Sequence, residues 1–406
     1  MKFNINSQNI QLSIKASAII ILVFIAQLLF AQKVSTTQQF TSIDPGPFSD
    51  NTNHWYSIYD KNNMINALPG RPHFESTQIT NIADNLLLFQ KDNGGWPKNY
   101  DFFAILTEKQ KDTVKAAKHL FNTTFDNGNT YTQIAALAIA YTATGVEKYK
   151  LAALKGLDFI LDAQYNNGGW PQYFPLEQKY SRLITYNDGV IKGIMDLLKD
   201  IQDGKPQYAF IDNKYRKKLN LAFDKGMDCI IKTQIIENGK PIAWCQQHDE
   251  VTLKPAWARK FEPASICNKE SAELVLFLMN IDNPKKEIIN AIQNAVVWFQ
   301  ESKIYNTMVK RIAAPKTNTP FKVSVSDKIV VADSTAPPIW TRFYELKTHR
   351  PLFCNRDSKV VYSFAEVDRE RRDGYAWYVY TPQEVLDKYP QWQKKWAPEN
   401  DVLKKK

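Results

Sequence analysis

Between Thr77 and Ser302 apolar residues recur three or four positions apart, and the apolar runs are separated by loops rich in Gly, Asn and Pro. This spacing predicts helices over residues 79–90, 131–144, 147–164, 190–201, 215–233, 269–279 and 285–302, with no comparable alternating strand pattern between them. The loops repeat a phrase. Asn93-Gly94-Gly95-Trp96-Pro97 returns as Asn167-Gly168-Gly169-Trp170-Pro171, each after a helix that ends near a Gln, and a degenerate third copy follows Gln234 as Asn238-Gly239, Pro241 and Trp244. A period of about 70 residues with two helices per unit predicts helical hairpins that bury their faces against one another. The expected architecture is all-α dominated, a closed (α/α) toroid or barrel of helical hairpins. After Asn306 the periodicity stops, and short β-like runs at 321–325 and 329–332 predict a small β-containing C-terminal segment. The repeated tryptophans have two readings. Trp96 and Trp170 cap the core while Gly supplies positive φ and Pro stops the next element, or they floor a sugar site at the mouth of the toroid.

Composition narrows the setting. A 406-residue chain with 44% hydrophobic residues can bury a large core, which excludes a disordered chain. Lys2 and Lys15 precede an apolar run over 16–30 that ends at Ala31, the pattern of a secretory signal peptide over 1–31; the run is short for a membrane span, and a retained anchor is the alternative. A flexible leader over 32–50, one catalytic domain over 51–395 and a basic tail over 396–406 are expected. So are a secreted or periplasmic location, no stable membrane insertion after signal cleavage, and a monomer. The formal charge of +10 implies an anionic partner. With no compact basic block except Lys404 to Lys406, an acidic polymer fits better than nucleic acid. Cys229, Cys245, Cys267 and Cys354 are far apart and lack zinc-site spacing, so buried free thiols are expected.

No GxSxG elbow, HExxH helix, Walker loop or dinucleotide fingerprint is present, which removes support for acyl transfer, zinc proteolysis and nucleotide chemistry. A glycosidase needs two opposed carboxylic groups, and Asp126, Asp188, Asp249 and Glu262 could supply them. His248, beside Asp249, is either a general base or a solvated loop residue. Asp126-Asn127 and Asn187-Asp188 offer hard oxygen ligands of the kind Ca²⁺ takes, or serve as helix N-caps. Arginines near them would suit a polyuronate carboxylate; alternatively Arg356 forms a surface ion pair with Asp357 or Asp373.

The ordered motifs GGWPKNYD, FDNGNTYTQ, GGWPQYFP, ITYND, WCQQHDEVTLKPAWARKFEPAS, WTRFYEL, RPLFCNRD and RRDGYAWY resemble those of the family 10 polysaccharide lyases, the pectate lyases of that class, over residues 50–393. The resemblance implies an α/α-toroid-like domain, calcium dependence and β-elimination on polygalacturonate. It implies Asp126 and Asp188 as metal ligands with Asn127 beside them, Arg259 and Arg342 as substrate-binding arginines, and Arg356 as the catalytic base. Before that arginine the chain has Cys354-Asn355 where relatives often carry small or polar residues. A secreted glycoside hydrolase and a non-catalytic polyuronate-binding protein are the alternative functions.

Overall fold

A computed structural model describes residues 40–49, 70–319 and 323–404, and Ser42–Lys406 forms one compact unit. The expected signal peptide lies outside the described residues, as do residues 32–39 and 50 of the leader. Among the described residues there are ten α-helices: α1 (Ile79–Phe89), α2 (Glu108–Ala116), α3 (Tyr131–Thr144), α4 (Glu147–Ala163), α5 (Val190–Gln202), α6 (Asn213–Thr233), α7 (Asn268–Met279), α8 (Lys286–Glu301), α9 (Arg369–Gly374) and α10 (Thr381–Trp396). The long helices pair as predicted, α3 with α4, α5 with α6 and α7 with α8, while α10 packs on α7 and α8.

The all-α toroid does not hold. Twelve strands among the described residues thread between and beyond the helices: β1 (Ile184–Thr185), β2 (Ile236–Glu237), β3 (Lys240–Pro241), β4 (Gln247–His248), β5 (Ile266–Cys267), β6 (Thr307–Asn318), β7 (Val323–Ala332), β8 (Trp340–Thr341), β9 (Phe343–Tyr344), β10 (Pro351–Cys354), β11 (Val360–Val361) and β12 (Tyr378–Val379). They form five small antiparallel sheets, including β1–β4, the four-stranded β11-β10-β9-β5, and the long hairpin β6–β7. Helices dominate, but most strands are two residues long, too short for an alternation of apolar and polar positions to register in the sequence. A second, smaller core under the four-stranded sheet gathers Phe261, Phe343, Phe353, Phe364 and Trp377.

The repeat is a packing device. Gln90, Gln164 and Gln234 are the C-cap residues of α1, α4 and α6. Each amide donates twice: Gln90 to the carbonyls of Gly94 and Ala152, Gln164 to Gly168 and Ala222, Gln234 to Ile242 and Ala291, all between 2.9 and 3.2 Å. Each Gln therefore ties its own loop to the helix of the next unit. The tryptophans follow suit. Trp96, Trp170 and Trp244 are 0% exposed, and their indole N–H groups donate to the carbonyls of Leu86, Ile160 and Ile230 at 2.8–2.9 Å. Trp340 makes the same bond to Phe299, a fourth copy that carries no sequence phrase. Trp96 and Trp170 belong to the core and cannot floor a sugar site, because their faces are packed and their one polar atom is bonded inside.

The loop glycines are required by backbone approach. A Cβ on Gly168, whose φ is +94°, would lie 1.9 Å from the Lys225 carbonyl oxygen. Gly145, with φ +68°, faces open space. Gly145→Ala is expected to cost about 1 kcal/mol from the left-handed backbone alone, and Gly168→Ala more than about 3 kcal/mol because backbone must also move. Urea unfolding of the two variants measures the difference.

Candidate active site

Two turns in successive repeats build the centre of the site. In Thr124-Phe125-Asp126-Asn127-Gly128 and Thr185-Tyr186-Asn187-Asp188-Gly189, Asn127 (φ 53°) and Asp188 (φ 49°) occupy the left-handed region, each followed by a positive-φ glycine. Asn and Asp tolerate this conformation because their short polar side chains bond locally. The turns face each other, and the Tyr131 hydroxyl donates to the Gly189 carbonyl at 3.2 Å.

Asp126 is 2% exposed. Lys98 holds its Oδ2, and the Gln172 amide donates to its Oδ1 at 2.8 Å. Both donors occupy the second position after a repeat tryptophan, Trp96 and Trp170. Burial would raise the Asp126 pKa, but Lys98, Gln172 and Arg259 hold it below the ordinary aspartate value. Asp188, one quarter exposed, is pushed the other way, up to about 7, by burial and then by the charge of Asp126, against the pull of Arg259, Arg342 and Lys269. Two carboxylates close enough to repel are joined here on one wall.

The arginines come with glutamates. Arg259, four residues after Pro255, forks onto Glu262, its Nε donating to Oε2 at 2.7 Å, and its guanidinium lies 3.9 Å from Asp188. Burial would lower its pKa, but Glu262 holds it well above the ordinary arginine value. Arg342, on the turn between β8 and β9, is 4% exposed; it is paired with Glu270 and donates to Asn187 Oδ1 at 2.8 Å. Asn187 in turn donates to Asp188 Oδ2 at 2.6 Å, so a continuous bonded path runs from Glu270 to the carboxylate pair. Arg356 forks onto Glu370 at 2.8 and 3.0 Å, and Arg371 shares that glutamate. The guanidinium carbons of Arg259, Arg356 and Arg371 lie 4.6–5.1 Å from the centre of the Phe261 ring, and Arg342 lies 4.6 Å from that of Tyr375. The Tyr375 hydroxyl donates to Glu262 Oε1 at 2.9 Å.

Of the residues expected from sequence, Asp126, Asn127, Asp188, Arg259 and Arg342 converge. Arg356 joins them through Phe261, with Glu370 as its partner in place of the expected Asp357 or Asp373. Glu262, a candidate glycosidase acid, is instead the partner of Arg259. Asn187, read beside Asp188 as an oxygen ligand or N-cap, bridges Arg342 to Asp188; Lys98, Gln172, Glu270, Glu370, Arg371 and Tyr375 were not singled out. Lys98 and Gln172 could have been found by aligning the repeats and reading two residues past each tryptophan; the glutamates carry no local signal, because their partners are distant in sequence.

A wall of paired carboxylates facing carboxylate-anchored arginines suits an anionic carbohydrate and defines a polysaccharide-active enzyme. The family model described as pectic acid lyase matches residues 90–386. The chain belongs to the pectic acid lyase family and is a family 10 polysaccharide lyase. Two solved structures are similar. One is family 10 polysaccharide lyase from Cellvibrio cellulosa, at 27% identity and a TM-score of 0.64, over 78% of this chain and 95% of that one. The other is an aspartate-to-alanine mutant of the same enzyme in complex with trigalacturonic acid, at 26% identity and a TM-score of 0.64, over 78% and 96%. No curated protein matches.

His248 is not a general base. It is 0% exposed on β4; its Nε2 accepts from the Cys245 N–H at 3.1 Å, and its Nδ1 faces the Leu253 carbonyl at 3.0 Å, which requires a neutral ring protonated on Nδ1. Burial pushes its pKa down to about 4. The unfolded chain takes up this proton near pH 6.5, whereas the folded protein does so only near pH 4, so stability falls as pH drops through that window. The loss attributable to His248 is expected to reach about 3 kcal/mol by pH 4. Urea unfolding at pH 7 and pH 4, on wild type and His248→Gln, should show a shallower pH slope in the variant.

Proposed function

We propose that the protein cleaves α-1,4-linked polygalacturonate by β-elimination, leaving unsaturated oligogalacturonides, with a divalent calcium ion assisting. The observation that carries this reading is the Asp126–Asp188 pair set against Arg259 and Arg342, together with the likeness to a lyase whose structure holds trigalacturonic acid. Guanidinium groups match uronate carboxylates in charge and planar geometry. Removal of the C5 proton puts negative charge onto that carboxylate, so groups that grip it more strongly as charge builds lower the barrier.

The donor chemistry fits calcium. Asp126 and Asp188 are hard oxygen donors whose mutual repulsion a cation relieves, with the Asn127 side chain on the same turn. Among the described residues no group of three His, Cys, Asp or Glu is arranged to hold a metal, and Asp126 and Asp188 are the carboxylates that would hold the cation. Bound there, calcium would supply positive charge that acidifies the C5 proton.

For the base, geometry favours Arg259 over Arg356. Both arginines rest on a glutamate, but Arg259 is the one beside Asp188 and its charge reaches both aspartates, whereas Arg356 meets the Phe261 ring and Glu370. Glu262 keeps Arg259 protonated in the resting protein, so proton abstraction requires this pairing to loosen as substrate enters. Arg356 then serves the uronate chain next to the reacting residue.

Incubation with polygalacturonate should generate the ultraviolet absorbance of a 4,5-unsaturated product, abolished by excess chelator and restored by Ca²⁺. New reducing ends without that absorbance would mean hydrolysis. Arg259→Lys is expected to lower kcat by at least about a hundredfold, whereas Arg356→Lys chiefly raises KM. A larger kcat loss in Arg356→Lys would transfer the base role to Arg356.

A further inference from the structure

The β6–β7 hairpin is the longest strand pair among the described residues, running in register from Thr307↔Ala332 to Asn318↔Val323 with a bulge between Ala313 and Thr317. It contributes almost nothing to either core. Along β6 no residue is buried, and along β7 the buried residues are two polar ones, Ser324 and Asp327. Its apolar residues Ile312, Val323, Val325, Ile329 and Val330 are all exposed. A hairpin stabilised by a hydrophobic face would show the reverse pattern.

Both buried polar residues grip α9. Asp327 receives the fork of Arg372 at 2.8 and 2.5 Å. Ser324 donates to Asp373 Oδ2 at 2.6 Å, Ser326 donates to Oδ1 at 3.1 Å, and Arg311 pairs with the same carboxylate. Arg369 Nε donates to the Ser326 carbonyl at 3.1 Å. The α9 helix has six residues, too few to hold its shape without tertiary support. Its other supports include the Trp377 indole on the Arg371 carbonyl at 3.0 Å, Asn355 Oδ1 on the Asp368 N–H at 2.8 Å, and Arg372 donating to the Ala365 and Val367 carbonyls at 3.1 and 2.7 Å. Between these two sets of bonds α9 presents Glu370, which splits its carboxylate between Arg356 and Arg371.

We propose that the β6–β7 hairpin is a positioning clamp for substrate binding: by holding α9 through Asp327 and Asp373 it fixes Glu370, and through Glu370 the pose of Arg356 and Arg371 toward an anionic sugar chain. This rests on the polyuronate reading of the site. Asp327 and Asp373 are positioning residues, since they act through α9 and do not face the carboxylate pair.

The test uses the full chain with Asp327→Ala, Glu370→Gln and the double variant. Turnover is followed on polygalacturonate, binding of an oligogalacturonate by calorimetry, and folding by melting temperature. Asp327→Ala is expected to raise KM and the calorimetric Kd at least about fivefold with kcat within about twofold. Because Asp327 acts through Glu370, the double variant should bind no more weakly than Glu370→Gln alone, a non-additive cycle. Unchanged Kd in Asp327→Ala, or losses that add in the double variant, would overturn the clamp. So would a lowered melting temperature with a smaller active fraction and unaltered KM, the pattern of a purely structural role. Binding without any unsaturated product in the wild type would refute the reaction, while the Kd series would still decide the clamp.

Discussion

Every arginine of the site has a carboxylate partner, and the rest of the arrangement follows from that pairing. A guanidinium cannot leave water without a partner of opposite charge. Arg259 has Glu262, Arg342 has Glu270, and Arg356 and Arg371 share Glu370. The pairs are fork-shaped or bridged to a second acceptor, so each glutamate sets direction as well as charge. The local charge is thereby nearly balanced before an anion enters, despite a chain that carries +10 overall. An incoming uronate meets guanidinium edges already aimed, and little side-chain freedom is left to lose on binding.

These pairs hang on a scaffold that solves a different problem. Helix ends leave carbonyl groups without partners, and in a stack of hairpins those ends are buried. The Trp in each loop donates from inside the core to a carbonyl in the last turn of the preceding helix, and the Gln at each C-cap donates to a loop carbonyl and to a mid-helix carbonyl of the next unit. They also lock one unit to the next, since the Gln amide spans both. The spacing between successive units is therefore set by hydrogen bonds and by glycine-backbone approach as much as by side-chain volume.

The seven helices between Ile79 and Glu301 that the apolar spacing predicts, their pairing and the three-copy repeat were legible in the sequence because apolar periodicity and the Gly-Gly-Trp-Pro phrase are local signals, whereas α2, α9 and α10 were not read from it. The sheets were not. Strands of two residues, such as Ile266–Cys267 and Phe343–Tyr344, are defined by partners far along the chain, and the closed toroid inferred without them was wrong. Among site residues, Asp126, Asp188, Arg259 and Arg342 stood in recognisable motifs and do meet. Trp96 and Trp170 misled because a repeated aromatic reads alike whether it faces sugar or core. Glu370 and Lys98 were invisible for the opposite reason: a single charged residue has no pattern until the fold supplies its neighbour.

The two left-handed turns have one more consequence. Thr124 to Gly128 and Thr185 to Gly189 are the same turn occurring once in each of two successive units, with the order of Asp and Asn exchanged. The carboxylate pair is accordingly one turn used twice, each copy supplying a single aspartate to the same wall. Because Asp and Asn are exchanged between the two turns, one aspartate sinks against Lys98 while the other stays within reach of solvent, and the two carboxylates differ in acidity by position alone.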